Sequence, residues 1–272
     1  MLLLFSPFFL WLSRASACLL VLCVASLLDL REREVPDKVW LLPAPLLASL
    51  TALSLALGYE PIWPTTVSVL LSSVIGLLIY FSGLTGGADA KALFFLAIAC
   101  PISHVEPLLT SHMLLPLAAF SNSLFFSSLA SIVLLARNVA WRLKTRRGLF
   151  EDLGHVPLLT KVLVLISGYK MRAGDLAKAR FVFPLEVLVG GEKGRPRRKL
   201  ILVVRLREEE EKALCLRKAL ELGLLDEEDY VWVSPGLPLI VFLTAGFLTA
   251  VLLGDILFFF VLNALSCLFA LF

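Results

Sequence analysis

The chain has 272 residues, 59% of them hydrophobic, with a mean hydropathy of +0.89. A soluble domain of that length is nearer half apolar, and several runs here approach the ~20 residues that cross a hydrocarbon core, so an ordinary soluble globule is excluded and a polytopic membrane protein is implied. Net charge is only +3, but twenty of the 25 Lys and Arg residues fall between Arg137 and Val233.

The first apolar run covers residues 2–28. It has no basic stretch before it and no small-residue cleavage site after it, so it reads as a retained helix and not as a removed signal peptide. It ends at Asp29, and the loop that follows carries Arg31, Arg33 and Lys38. Glu32, Glu34 and Asp37 in the same loop read as solvated charges. Two further runs, 39–57 and 65–84, are separated by a stretch without Lys or Arg. Gly86-Gly87-Ala88-Asp89-Ala90-Lys91 then opens a short fourth run, 90–102, interrupted at Pro101. The fifth run, 108–136, leads directly into the basic segment Arg137 to Arg147. A sixth, 237–253, is followed by Gly254-Asp255 and an apolar tail, 256–272, that fits a seventh span or an interfacial helix equally well.

Positive loops stay on the cytoplasmic side. Alternation through six spans puts the basic loops inside, the bare loops outside, and Asp29 and Asp89 together on the cytoplasmic side. Only Arg14 runs against this count. Five cysteines (Cys18, Cys23, Cys100, Cys215, Cys267) are scattered with no CxxC pair, and four lie in apolar runs, where they read as small core residues.

Residues 137–233 read as a small soluble domain. Strands are expected over 162–166, 181–189 and 200–207, the last two joined by a basic hairpin loop. A helix is expected over 208–222, with acids in its first turn, then a strand over 230–233. The expected architecture is a polytopic α-helical membrane protein of about six transmembrane helices, with a small α+β cytoplasmic domain inserted before the last. Residues 1–136 hold helices one to five and the catalytic loops, 137–233 the cytoplasmic domain, and 234–272 the last helix and tail.

An ionisable group at a membrane helix end is costly and therefore a functional candidate. Two such carboxylates held close cannot both ionise cheaply: they share a proton, one acting as general base on water and the other as general acid. That is sufficient apparatus for peptide hydrolysis without a metal, cofactor or protein nucleophile. Asp89 stands at a helix N-terminus, which favours the anion, and Asp29 at a C-terminus, which favours the protonated form. Gly86 and Gly87 are expected to take positive φ and to admit a substrate backbone. Lys91 is expected to counter Asp89 or to snorkel to the interface, in a structural role. Gly174-Asp175 and Gly254-Asp255 read as a turn or cap and as an outer helix end. His104 and His112 are expected outside and His155 inside, so no metal triad is expected. A dyad of Ser82 or Thr85 with Lys91 is the weaker protein-nucleophile alternative.

The two motifs resemble the type IV prepilin peptidases, and within them the archaeal preflagellin and prepilin peptidases. The resemblance rests on Asp29-Leu-Arg-Glu-Arg-Glu-Val-Pro-Asp37-Lys-Val-Trp40, on Gly86-Gly87-Ala88-Asp89-Ala90-Lys91, and on Val231-Trp-Val-Ser-Pro-Gly-Leu-Pro238. Ala88 stands where the strict GxGD motif has its second glycine. The resemblance implies a GxGD aspartyl protease of the cell membrane, with Asp29 and Asp89 matching the catalytic pair and Gly86, Gly87, Ala88 and Lys91 in the supporting motif. It also implies cleavage, at the cytoplasmic face, of precursors bearing a basic class III signal peptide, whether pilin-like or archaellin. It lacks the cysteine-rich loop of many bacterial members, so their methyltransferase activity is not implied. Expected partners are such precursors and the lipid bilayer, with no nucleic acid. A presenilin-like intramembrane protease and a proton- or cation-coupled transporter are the alternatives.

Overall fold

The computed structural model describes residues 6–82, 86–109, 112–151, 153, 156–176, 179, 181–189, 197–200 and 225–269. In chain order its elements begin with α1 (Pro7–Glu32), α2 (Lys38–Leu41), α3 (Ala44–Ala56), α4 (Ile62–Ser82), α5 (Gly87–Ala99) and α6 (Leu115–Thr145). Next come α7 (Leu158–Ser167), β1 (Tyr169–Arg172), α8 (Ala173–Leu176), β2 (Val182–Pro184), β3 (Glu186–Val189) and β4 (Arg197–Leu200). The described chain closes with β5 (Tyr230–Pro235), α9 (Leu239–Leu252) and α10 (Ile256–Phe269). Two compact units result, one of Met1–Ser127 with Pro238–Phe272 and one of Ser128–Leu237.

The first unit is a helical bundle. Ser6 caps α1 by accepting the Phe9 amide at 3.2 Å, and Pro7 at the first helical position is pre-set for the turn. The helix stops at Arg33, whose left-handed backbone (φ 58) returns its N–H to the Asp29 carbonyl at 3.1 Å. Among the described residues, four stretches are long and apolar enough to cross a membrane: α1, α2 with α3, α4, and α6. Helices α9 and α10 make a fifth if counted as one span bent by 64°. This is a membrane protein.

Helix α5 is different. Its 13 residues reach ~20 Å at the helical rise, short of a ~30 Å hydrocarbon core. Ala90, Ala92, Leu93, Phe95, Leu96, Ala97 and Ala99 are all buried, and α1, α3, α4 and α9 pack around it. With most of its side chains covered by these neighbours, α5 lies inside the bundle, Lys91 and Phe94 being its exposed positions. It ends at Cys100 because Pro101 cannot extend it. Beyond it, Ile102 and Leu114 pair in an antiparallel bridge.

At the other end of α9 the chain breaks at Gly254-Asp255. Asn122 closes the break. Its Nδ2 donates to the carbonyls of Gly246 (3.3 Å) and Gly254 (2.9 Å), and its Oδ1 accepts the Ile256 amide (2.9 Å). Asp255 caps α10 by accepting the Phe258 amide at 3.0 Å. Gly246 lets α9 touch α6: a Cβ there would run into the Ala119 carbonyl oxygen. Cys18 and Cys100 are buried in the core, but Cys23 and Cys267 are exposed on outward helix faces, which corrects the expectation of four core cysteines. Cys215 lies outside the described residues.

The second unit holds an antiparallel three-stranded sheet in the order β1-β5-β2, and a β3-β4 hairpin. The central strand is β5, pairing Val233 with both Tyr169 and Pro184. Glu186 is buried; it accepts the Trp232 amide at 2.7 Å and the Arg198 Nε–H at 2.7 Å. The strand expected over 162–166 is instead part of α7. Five Val, Leu and Ile residues fit either period, and Pro157 at the start with Gly168 at the stop decides for the helix. The strand expected over 181–189 divides at Leu185 into β2 and β3, which join different sheets. The helix expected over 208–222 and most of the 200–207 strand lie outside the described residues.

Candidate active site

Asp29 stands half-buried in the last turn of α1, and Asp89 half-buried in the first turn of α5. The cap of α5 is Gly86, whose carbonyl accepts the Asp89 amide at 3.1 Å, so Asp89 is the third helical residue and not the cap. Helices α1 and α5 pack together, and Leu28 and Ala88 flank the same apolar cluster. The loop after α1 closes onto α5 as well. Lys91 Nζ lies 2.5 Å from Asp37 Oδ1, and the rings of Trp40 and Phe95 are 5.7 Å apart. Thus Lys91 bridges to the other motif, in a structural role, and Asp37 is paired although exposed.

The glycines correct a second expectation. Gly86 has φ −67 and ψ 149, an extended conformation open to any residue, and among the described glycines only Gly58 and Gly254 have positive φ. The surroundings of Gly86 are open: a Cβ there would meet nothing within 4 Å. A Cβ on Gly87 would rest 3.5 Å from the Tyr80 ring, an ordinary contact. Beside this loop is a cavity of about 590 Å³ among α2, α4 and α5, walled by Trp40, Leu77, Phe94 and Ile98, with Asp37, Gly87 and Lys91 contributing.

At the opposite end of the unit lies a buried polar cluster. Arg14 precedes Asp29 by four turns of α1, about 22 Å along the axis. Its guanidinium donates to Thr51 Oγ1 at 2.8 Å and to Glu60, and both members of the ion pair are fully buried. His104 Nε2 lies 3.4 Å from the same Glu60 oxygen. Burial pushes Glu60 up, but hydrogen bonds from His104 and Arg14, with their charges, outweigh it and hold the carboxyl below the ordinary glutamate value of 4.5. Nearby, His112 Nε2 lies 3.2 Å from Asp255. Each histidine thus pairs with its own acid; His155 and Thr85 lie outside the described residues. Sequence reasoning missed Glu60. The signal was available, as the single acid in the bare 58–64 loop opposite the single arginine inside an apolar run.

Comparison with known proteins bears on both ends of this architecture. Residues 16–136 match the model of the Type IV leader peptidase family, and residues 160–256 match Archaeal Peptidase A24 C-terminus Type II. The chain belongs to the type IV leader peptidase family. As a member it is a peptidase, and Asp29 and Asp89 both fall within the matched residues. Its likeness to individual family members runs nearly end to end. It is 26% identical over 247 residues to the preflagellin peptidase of Methanococcus voltae, covering 87% of this chain and 93% of that protein. It is 24% identical over 257 residues to that of Methanococcus maripaludis, covering 86% and 92%. For Methanocaldococcus jannaschii the figures are 23% over 250 residues, 86% and 91%.

Proposed function

We propose that this family member is an aspartic endopeptidase that removes the basic class III leader of pilin-like or archaellin precursors at the cytoplasmic face of the cell membrane. The observation that carries the reading is the joining of the two motifs at one end of the bundle, by the α1–α5 packing and the Lys91–Asp37 ion pair. Family membership and relatives named preflagellin peptidase support it. In this reading α5 counts as the short fourth of six membrane helices, residues 137–233 form the cytoplasmic domain, and the basic loops hold the site inside.

Asp29 and Asp89 are the catalytic pair. Asp89 at a helix N-terminus is the anion, and Asp29 at a C-terminus carries the proton. Asp89 takes a proton from water, whose oxygen attacks the scissile carbonyl carbon. Asp29 protonates the substrate as the C–N bond breaks and the amine leaves. The open space at Gly86 admits an extended backbone. Asp29→Asn and Asp89→Asn, made separately, should each leave a folded protein that no longer trims a preflagellin-type precursor on a gel. Retained cleavage by either would overturn the two-carboxylate mechanism.

A further inference from the structure

The second unit carries an apolar surface that the peptidase reading does not use. Helix α7 buries Val164 against Leu153, Leu185 and Trp232, yet its opposite side is apolar too. Leu158 (78% exposed), Leu159 (70%), Val162, Leu163 and Ile166 form one continuous stripe at helical spacing, turned away from the unit's core. The one charge on the helix, Lys161, is directed to the Phe150 ring, with Nζ 5.7 Å from its centroid, and does not interrupt the stripe.

The position of α7 identifies what covers it. Asn138 of α6 donates to the carbonyls of Leu165 (3.0 Å) and Gly168 (2.8 Å), so the C-terminal end of α7 is fastened to α6 at that residue. Helix α6 is of membrane-crossing length, with Ile132, Val133 and Val139 exposed on its surface. Its uninterrupted apolar run ends at Ala136, two residues before Asn138. Around that level lie the groups typical of a headgroup zone: Arg137 stacked 3.6 Å over Tyr169, Trp141 against Tyr230 at 5.1 Å, then Arg142, Lys144, Arg146 and Arg147. A short helix pinned there, with an outward apolar stripe and neighbouring cations, matches a helix lying in an anionic bilayer surface.

We propose that α7 is an interfacial membrane helix, embedding Leu158, Leu159, Val162, Leu163 and Ile166 in the bilayer surface and so holding the second unit against the membrane. The inference is independent of which residues catalyse. The test uses the full chain in nanodiscs of phosphatidylcholine and phosphatidylglycerol, with photoreactive benzoylphenylalanine in place of Leu159 or, separately, Leu163. Irradiation should yield lipid adducts on the α7 peptide by mass spectrometry. Adducts to protein, from the same chain or a second copy, or no adduct at all, would overturn the proposal. With the photoreactive group at Leu158, adding Leu159→Glu and Leu163→Glu, both on the exposed stripe, should lower the lipid adduct about fivefold or more. An unchanged yield would overturn it equally.

Discussion

Lys91 and Asp37 join the first turn of α5 to the loop that follows Asp29, in an ion pair whose side chains are 47% and 60% exposed. An exposed pair contributes at most about 1 kcal/mol, so its value lies in placing two segments. Asp37→Lys and Lys91→Asp, each alone, should lower precursor cleavage about tenfold through misplacement while leaving the thermal midpoint nearly unchanged. The double exchange should recover much of the rate. Equal losses in all three variants would remove the positioning role.

Two glycines separate packing from access. Gly246→Ala drives a Cβ into the Ala119 backbone and should destabilise the bundle by about 2 kcal/mol or more. Gly86→Ala enters open space at an unstrained backbone and should cost only about 0.5 kcal/mol. A fall in cleavage by Gly86→Ala, with stability kept, would assign its open space to the substrate. Unfolding midpoints and cleavage rates on both variants make the comparison.

Asn122 serves three backbone groups at the α9–α10 break. Asn122→Ala strands them and should cost about 3 kcal/mol. The loss should be read locally as well, as faster amide exchange at Ile256 than at residues in the middle of α9. Uniform acceleration would mean that the break is held by something else.

Glu60 sets a pH limit. Its carboxyl titrates lower when folded than unfolded, so its contribution is complete above the unfolded value near 4.5 and is lost as pH falls through the folded value. The midpoint advantage of the native chain over Glu60→Gln should therefore be widest near neutrality and narrow below about pH 4.5. An advantage independent of pH would show that the pair is not ionised. Arg14→Met leaves the acid buried alone and should cost about 3–5 kcal/mol at neutral pH.

The parts of this molecule legible from sequence were those written in runs and motifs. Apolar lengths located every bundle helix, and Asp29 and Asp89 could be placed at opposite kinds of helix terminus from flanking residues alone. What escaped depended on partners distant in the chain. Val162-Leu-Val-Leu-Ile166 fits either period; Pro157 and Gly168 bound it as a helix, and Asn138, distant in the chain, holds its end. Tyr230 to Val233 reads as one more strand, but only pairing on both edges makes it central. Gly86 suggests an unusual backbone by its identity, whereas its φ is ordinary and the space beside it is open. Arg14 opposed the charge rule until Glu60 neutralised it.

That last pair also bears on biosynthesis. Arg14 and Glu60 are 46 positions apart, so when the arginine leaves the ribosome its counterpart is still unmade. A solitary guanidinium in a membrane helix is worth about 3 kcal/mol against insertion, and the burden lifts only when the next helical hairpin arrives alongside. The leading helix therefore settles into place as part of a trio, and a chain interrupted before residue 60 would be left with a helix poorly committed to the bilayer.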